Sequence, residues 1–279
     1  MRNDAMKVLK YMFGAAVCIA ILVPLMMMVT LSLNPDKLEV LSIMGSWRAL
    51  IPTVVAFDNY AAVWSDPFNP FGRYLANTVF IAATSIVLSI FVNSAAAFSL
   101  AWGSGRYRRW LVLLIVAVLA VPAESIVLSQ LKIVSALGLI DTYAVQILPS
   151  IANAFFIFLF YQFFSKLPKD LIEAARVDGL NLVRIYWHIG LPSSKPLIVT
   201  VATLHFLSIW NSYLWPVMVT RGEDVRPLSV GMSAYFGSNL TSWGNVMAFA
   251  VCMALPVVLF FLIVQRHFIA SITGSSIKG

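Results

Sequence analysis

Six stretches of this chain stay apolar long enough to cross a bilayer, and polar segments separate them. One span needs roughly 17–25 predominantly apolar residues. The pattern predicts helices at Tyr11–Leu33, Arg73–Trp102, Trp110–Leu131, Ile147–Phe164, Leu197–Val219 and Gly244–Arg266. A membrane barrel would alternate polarity along strands of ~10 residues, and runs such as "IANAFFIFLF" do not alternate. The expected class is an all-α membrane protein, a single transmembrane domain over 1–279 with six spans.

Composition points the same way: 60% of the 279 residues are hydrophobic and 11% charged, with a mean hydropathy of +0.87, where soluble domains carry about 25% charge. Basic residues are retained on the cytoplasmic side during insertion. Of the 19 Lys and Arg, thirteen fall on the side of the two termini, several of them in "GSGRYRR" and in 165–196, and six on the other. Both termini are therefore expected in the cytoplasm. The net charge of +7 then reflects topology and contact with anionic lipid, not nucleic-acid binding. Arg2, Lys7 and Lys10 precede the first span as they would in a signal peptide. That span is ~34 Å long at 1.5 Å per residue and no A-x-A-like site follows it, so it reads as a retained anchor. Cys18 and Cys252 lie inside apolar runs and read as small hydrophobes.

The outer loops differ in length: 34–72 is long, aromatic and rich in Pro and Asp, and is expected to pack as a lid, whereas the loops around "SALGLIDTY" and "RGEDVRPLSVGMSAYFGSNLTSW" are shorter. No phosphate-binding G-x-x-x-x-G-K-[ST] occurs, and His188, His205 and His267 lack the spacing that sets two on one helical face. Catalysis, ATP hydrolysis by this chain and a resident cofactor or metal are not expected. A proton- or sodium-coupled carrier would hold ionisable groups inside the bundle. Glu124, after Pro122 in "VPAESIV", is the main charge near a span, either at the outer interface or as a gate lining a cavity.

The stretch "EAARVDGLNLVRIYWHIGLPSSKP", Glu173 to Pro196, is a polar interruption between two apolar runs. Pro168 suits a helix start, Asp170 and Glu173 favour its positive end, and Gly179 supplies a left-handed stop. Asn181 is an N-cap for a second short helix, whose Leu182, Ile185, Tyr186 and Ile189 share one face, with Gly190 and Pro192 ending it. Ala174 and Ala175 give the first helix a small surface beside Glu173. On these grounds alone the segment is either an elbow joining two spans or a docking knob for a cytoplasmic partner.

The same segment resembles the loop of binding-protein-dependent ABC importer permeases, E-A-A-x-x-x-G, nine residues, then I-x-L-P: here Glu173, Ala174, Ala175, Gly179, Ile189, Leu191 and Pro192, with Asp178 also as usual. Leu180 departs from the Ala common after the glycine. The resemblance extends through "FDNYAAVW", "AAAFSLAW", "LGLIDTYAVQILP", "WNSYLWP" and "QRHFIASITGSSIKG", and the chain is similar to the second permease of maltose-type carbohydrate systems. It implies a multi-pass subunit of the bacterial cytoplasmic membrane, paired with a homologous permease, two cytoplasmic ATPase subunits that use MgATP, and an external solute-binding protein. It also implies that Glu173 anchors the ATPase, the alanines allow close fit, Gly179 sets the angle between helices, and the tail "ITGSSIKG" reaches the ATPases.

For the solute, Trp210, Asn211, Tyr213 and Trp215 combine an amide with aromatic faces, as a sugar site would, with Pro216 kinking the helix toward the pathway. Aromatics near a membrane end also form interfacial belts. Asn93, Asn153 and Gln162 are polar groups in the bilayer, suited to bonding between helices, with Asn153 also a pathway candidate. A sugar or sugar-derived solute is expected. The alternatives are glycerol phosphate or a polyamine, or a passive channel or scaffold with no ATPase.

Overall fold

The computed structural model describes residues 2–103 and 105–275, all helix, turn and loop among the described residues. Of the C-terminal tail, residues 276–279 lie outside the described residues, as do the side chains from 266 on, including His267. Helices run α1 Arg2–Ser32, α2 Lys37–Ile43, α3 Asp58–Ser65, α4 Phe71–Trp102, α5 Arg108–Val118, α6 Val127–Ala136, α7 Tyr143–Ile151, α8 Ala154–Phe164, α9 Lys169–Val177, α10 Leu182–Ile185, α11 Leu191–Ser193, α12 Lys195–Trp210, α13 Leu214–Val219, α14 Leu228–Ser238 and α15 Trp243–Ser275.

Three stretches are single helices long and apolar enough to cross a membrane, Met6–Ser32, Phe71–Trp102 and Trp243–Gln265, and α7 with α8 makes a fourth that bends by 40°. The other two predicted spans are not continuous helices. Trp110–Leu131 breaks because Pro122 holds an extended backbone (ψ 131°) and carries no N–H to continue a helix. Leu197–Val219 breaks at Asn211–Tyr213, and Pro216 sits in the first turn of α13, where its missing N–H costs nothing.

The chain forms two compact units, one from Met1–Leu75 and Val230–Val258, the other from Ala76–Ser229 and Leu259–Gly279 as far as these are described. In the first, the 34–72 segment folds on the end of α1. Asp36 caps α2, Asn59 donates to the Ser32 and Asn34 carbonyls at 2.9 and 2.8 Å, and Leu31, Val40, Ile43 and Ala49 close a small core. The Ser32 carbonyl left open at the end of α1 thus finds a side-chain partner.

The second unit is organised by α4. Ser85, Ser89, Asn93, Ala97 and Ala101 are all buried, a line of small and polar residues at helical spacing that admits neighbouring backbones closely. Asn93 is fully buried. Its Nδ2 donates to the Ile151 carbonyl at 2.9 Å, and its Oδ1 accepts from the Asn153 N–H at 2.9 Å. These are backbone groups opened by the α7–α8 break, so one amide on α4 substitutes for the missing helical bonds. We expect Asn93→Leu to lower stability. Interhelical bonds in membranes average ~0.6 kcal/mol, and a stranded buried backbone group costs about 1–3 kcal/mol, so a loss of roughly 1–4 kcal/mol should appear as a lower thermal midpoint in detergent. An unchanged midpoint would show that the bend stands without this amide.

Candidate functional site

The polar interruption is built on a core of the second unit made by Ala97, Phe98, Phe156, Phe160, Phe164, Ile172, Ala175, Ile185 and Tyr186. Helix α9 ends as its composition requires. Gly179 has φ +80°, its N–H bonds to the Arg176 carbonyl, and the Leu180 N–H reaches the Ala175 carbonyl, both at 3.0 Å. This is the paired closure of a glycine-terminated helix, which an L side chain at that φ strains. Asn181 caps α10 through the Arg184 N–H at 2.9 Å. Leu182 and Ile189 pack partly on the core while Ile185 and Tyr186 are buried in it, as their shared face requires. The Tyr186 hydroxyl meets Ser94 Oγ at 2.8 Å; burial pushes its phenol above the usual range, with the Ser94 bond opposing, so it stays neutral.

Pro168 stands at the start of α9 as its cap. One expectation about this segment needs correction. Gly190 does not end a helix: Tyr186–Gly190 is a turn of π-helix leading directly into α11 through Pro192, and Gly190 has ordinary helical angles. Its absent side chain serves close approach, because a Cβ there would lie 2.7 Å from Phe98 Cε2. Widened turns of this kind often occur at functional sites.

The motif residues divide into two sets. Glu173, Ala174, Asp178, Gly179 and Pro192 are exposed, Ile189 and Leu191 are half-buried, and Ala175 is buried at 5% exposure. Only Ala174 of the two alanines therefore faces outward, and Ala175 packs α9 on its own chain. The sequence reading missed Leu171 and Val177, which flank Ala174 on the exposed side at 42% and 88% exposure. Their i, i+3 spacing with Ala174 was the available signal. Glu173 makes no hydrogen bond or ion pair among the described residues. The outward surface is thus a short apolar strip edged by Glu173 and Asp178. Behind it, Arg176 Nη2 donates to the Trp102 carbonyl at 2.9 Å, and Trp102 Nε1 donates to the Phe164 carbonyl at 3.0 Å, tying α9 to the ends of α4 and α8.

A second feature lies toward the other end of the same unit. A cavity of about 260 Å³ is lined by Thr78, Gln130, Gln146, Ser150, Ser208, Ser212 and Trp215 among apolar residues, and no charged side chain lines it among the described residues. Pro227 also lines it, in a segment held by Asn77 Nδ2 on the Asp224 and Arg226 carbonyls (2.9 Å each), Gln146 Nε2 on the Val225 carbonyl (2.7 Å) and Thr78 Oγ1 under the Leu228 N–H (2.7 Å). Trp215 is fixed by its Nε1–H on the Val145 carbonyl at 2.9 Å.

Of the pathway candidates, only Trp215 reaches this cavity. Trp210 is buried against Phe206, Asn211 and Tyr213 are exposed, and the Asn211 amide turns back to the Leu207 carbonyl. Asn153 caps α8 through the Phe155 and Phe156 N–H groups, Gln162 is exposed on α8 and Glu124 is exposed. Gln130, Ser208 and Ser212 were not legible, because the break between α5 and α6 and the end of α12 bring them together. Among the described residues no three His, Cys, Asp or Glu side chains converge on a metal site.

Residues 93–274 match the family of binding-protein-dependent transport system inner membrane components. The chain is 31% identical over 262 residues to the arabinooligosaccharides transport system permease protein AraQ of Halalkalibacterium halodurans, covering 92% of this chain and 91% of that one. It is 28% identical over 281 residues to the melibiose/raffinose/stachyose import permease protein MelC of Bacillus subtilis, covering 100% and 99%. It is 31% identical over 232 residues to the sn-glycerol-3-phosphate transport system permease protein UgpE of Yersinia pestis, covering 81% and 83%. In three dimensions it is similar to a chain of a bacterial ABC transporter involved in the import of the acidic polysaccharide alginate, with a TM-score of 0.83, 24% identity, and 96% and 98% coverage.

Proposed function

The chain belongs to the family of binding-protein-dependent transport system inner membrane components, and from that membership we propose how its parts divide the work of an ATP-driven importer. It is a transport subunit, not an enzyme. With a homologous permease it forms the pathway for a sugar or sugar-derived solute delivered by an external binding protein. Two cytoplasmic ATPase subunits supply the energy from MgATP. It crosses the bacterial cytoplasmic membrane six times with both termini inside, three of the crossings being broken helices. Such breaks are tolerated at membrane depth where the opened backbone finds protein partners or lines a cavity.

The observation that carries this reading is the outward face of α9: Leu171, Ala174 and Val177 exposed beside an unpartnered Glu173, on a helix clamped from behind by Arg176 and Trp102. A polar elbow would have no use for exposed Val177. On a rigidly mounted helix, an apolar strip edged by carboxylates suits a groove with a basic rim. ATP-driven closure of the ATPase dimer draws the two docked helices together and turns the permeases outward. Hydrolysis and reopening return the pathway inward. The similarity to AraQ, an arabinooligosaccharides permease, and MelC, a melibiose/raffinose/stachyose permease, supports the sugar class, while UgpE keeps glycerol phosphate as the alternative.

Copurification tests it. The tagged chain should bring down the ATPase subunits and a second permease from mild detergent. Recovery of this chain alone, with solute still crossing vesicles that lack ATP, would instead indicate a passive channel.

A further inference from the structure

We propose that the groove between α4 and α5 seats an acyl chain of an anionic phospholipid, whose phosphate is taken by Arg106, Arg108 and Arg109. From the importer reading it needs only that the basic turn joining these helices lies at a membrane face.

The groove forms where the last two turns of α4 meet the first two of α5. Ala96 and Leu100 line one wall, Leu111, Leu114 and Ile115 the other, and Arg108 stands at the start of the second wall. Positions 108, 111 and 115 recur at three and four residues and so share one side of α5. The space is about 480 Å³, inside the range of roughly 300–1,000 Å³ for small-molecule sites. No residue of α5 is buried, and Trp110 and Leu114 are 70% and 60% exposed. An apolar surface of this kind marks a contact with lipid or protein.

The charges at one end decide which. Helix α4 is long and apolar enough to cross a membrane and ends at Trp102, and the three arginines follow directly on that apolar run. Arg106 and Arg109 are exposed, and none of the three makes a hydrogen bond or ion pair among the described residues. The Arg108 guanidinium lies 5.9 Å from the centre of the Tyr161 ring, a cation–π contact that steadies it. No Asp or Glu occurs between Asp66 and Glu124, so neither helix supplies a counter-charge. Tyr107, at the cap of α5, offers the first turn no side-chain bond, and the positive end of that helix adds to the arginines.

An apolar helix of another subunit would cover the leucines and leave the arginines as they are. A phospholipid brings both parts in one molecule: guanidinium groups bind phosphate oxygens through paired N–H bonds, and a chain runs down the apolar walls from the same end. A net negative headgroup fits best, because a zwitterionic one carries an ammonium that the arginines repel.

The test uses the complete assembly in vesicles of equimolar phosphatidylglycerol and phosphatidylcholine, one of the two carrying a photoreactive group within its acyl chain. Phosphatidylglycerol should leave adducts on 96–100 and 111–115 about fivefold or more in excess of phosphatidylcholine, the factor that one arginine near an anionic surface contributes. Arg108→Gln should lower that excess by about the same factor and Arg108→Lys by less. Leu111→Trp, which fills the groove and keeps every charge, should remove the adducts of both lipids. Equal labelling by the two lipids, an excess that survives Arg106→Gln, Arg108→Gln and Arg109→Gln together, or adducts undiminished by Leu111→Trp overturns the site. So does capture of the second permease, instead of lipid, by a photoreactive residue replacing Leu114. Every comparison is made on assemblies recovered with their ATPase subunits, and recovery of this chain alone is the separate failure of the importer reading.

Discussion

Glu173→Lys and Gly179→Val are each expected to reduce ATP-driven uptake to background while the chain remains inserted and paired with its partner permease. The two act differently. Glu173 is exposed and makes no hydrogen bond or ion pair among the described residues, so reversing its charge alters chiefly what α9 presents outward. Gly179 has open space where a Cβ would stand but a φ of +80°. A β-branched residue there costs on the order of 1–2 kcal/mol in a left-handed conformation. The chain relieves that strain by re-angling α9 against α10. Gly179→Asn should therefore retain much of the activity, since Asn accepts this conformation more readily than other residues. Equal loss in the Asn and Val variants would show that the angle is not what matters.

A large effect on stability is expected at Gly190. A methyl group at that position would overlap the ring of Phe98, which is 1% exposed and packed edge-on against Phe164. The ring has nowhere to move without opening the core that also seats Tyr186 and Ile185. Overpacking of this kind costs about 1–3 kcal/mol. Gly190→Ala should lower the thermal midpoint of the purified protein, and Gly190→Val more so. Phe98→Leu, itself destabilising, should recover part of the loss when combined with Gly190→Ala, because it vacates the clashing atoms. Additive losses in the double variant would contradict this contact.

How far the sequence foretold these features differs by residue. Gly179 and Asn181 were legible because helix stops and caps are local: a glycine after the last turn and an amide before the next one need no knowledge of the rest of the fold. Three of the six expected spans were legible as continuous helices because hydropathy over a window senses apolar length. It does not sense continuity. Trp110–Leu131 and Leu197–Val219 read as spans although Pro122 and the Asn211–Tyr213 turn divide them. Gly190 illustrates a further limit: a glycine that admits a neighbouring ring looks, in one dimension, the same as a glycine that ends a helix. Ala174 and Ala175 likewise differ only in which side of α9 they face, and that side is chosen by Ile172 packing inward. The cavity was least legible, since its polar groups come from five helices and only Trp215 stood out by type.

Residue-specific photo-crosslinking measures the central claim most directly. A photoreactive residue replacing Val177, which is 88% exposed on α9, should form an adduct with the ATPase subunit in the assembled transporter, while one replacing Phe68, 80% exposed in the segment expected to be the first outer loop, should not. An assembly that retains its ATPase yet gives no adduct from position 177, or gives one from position 68, would contradict α9 as the docking element.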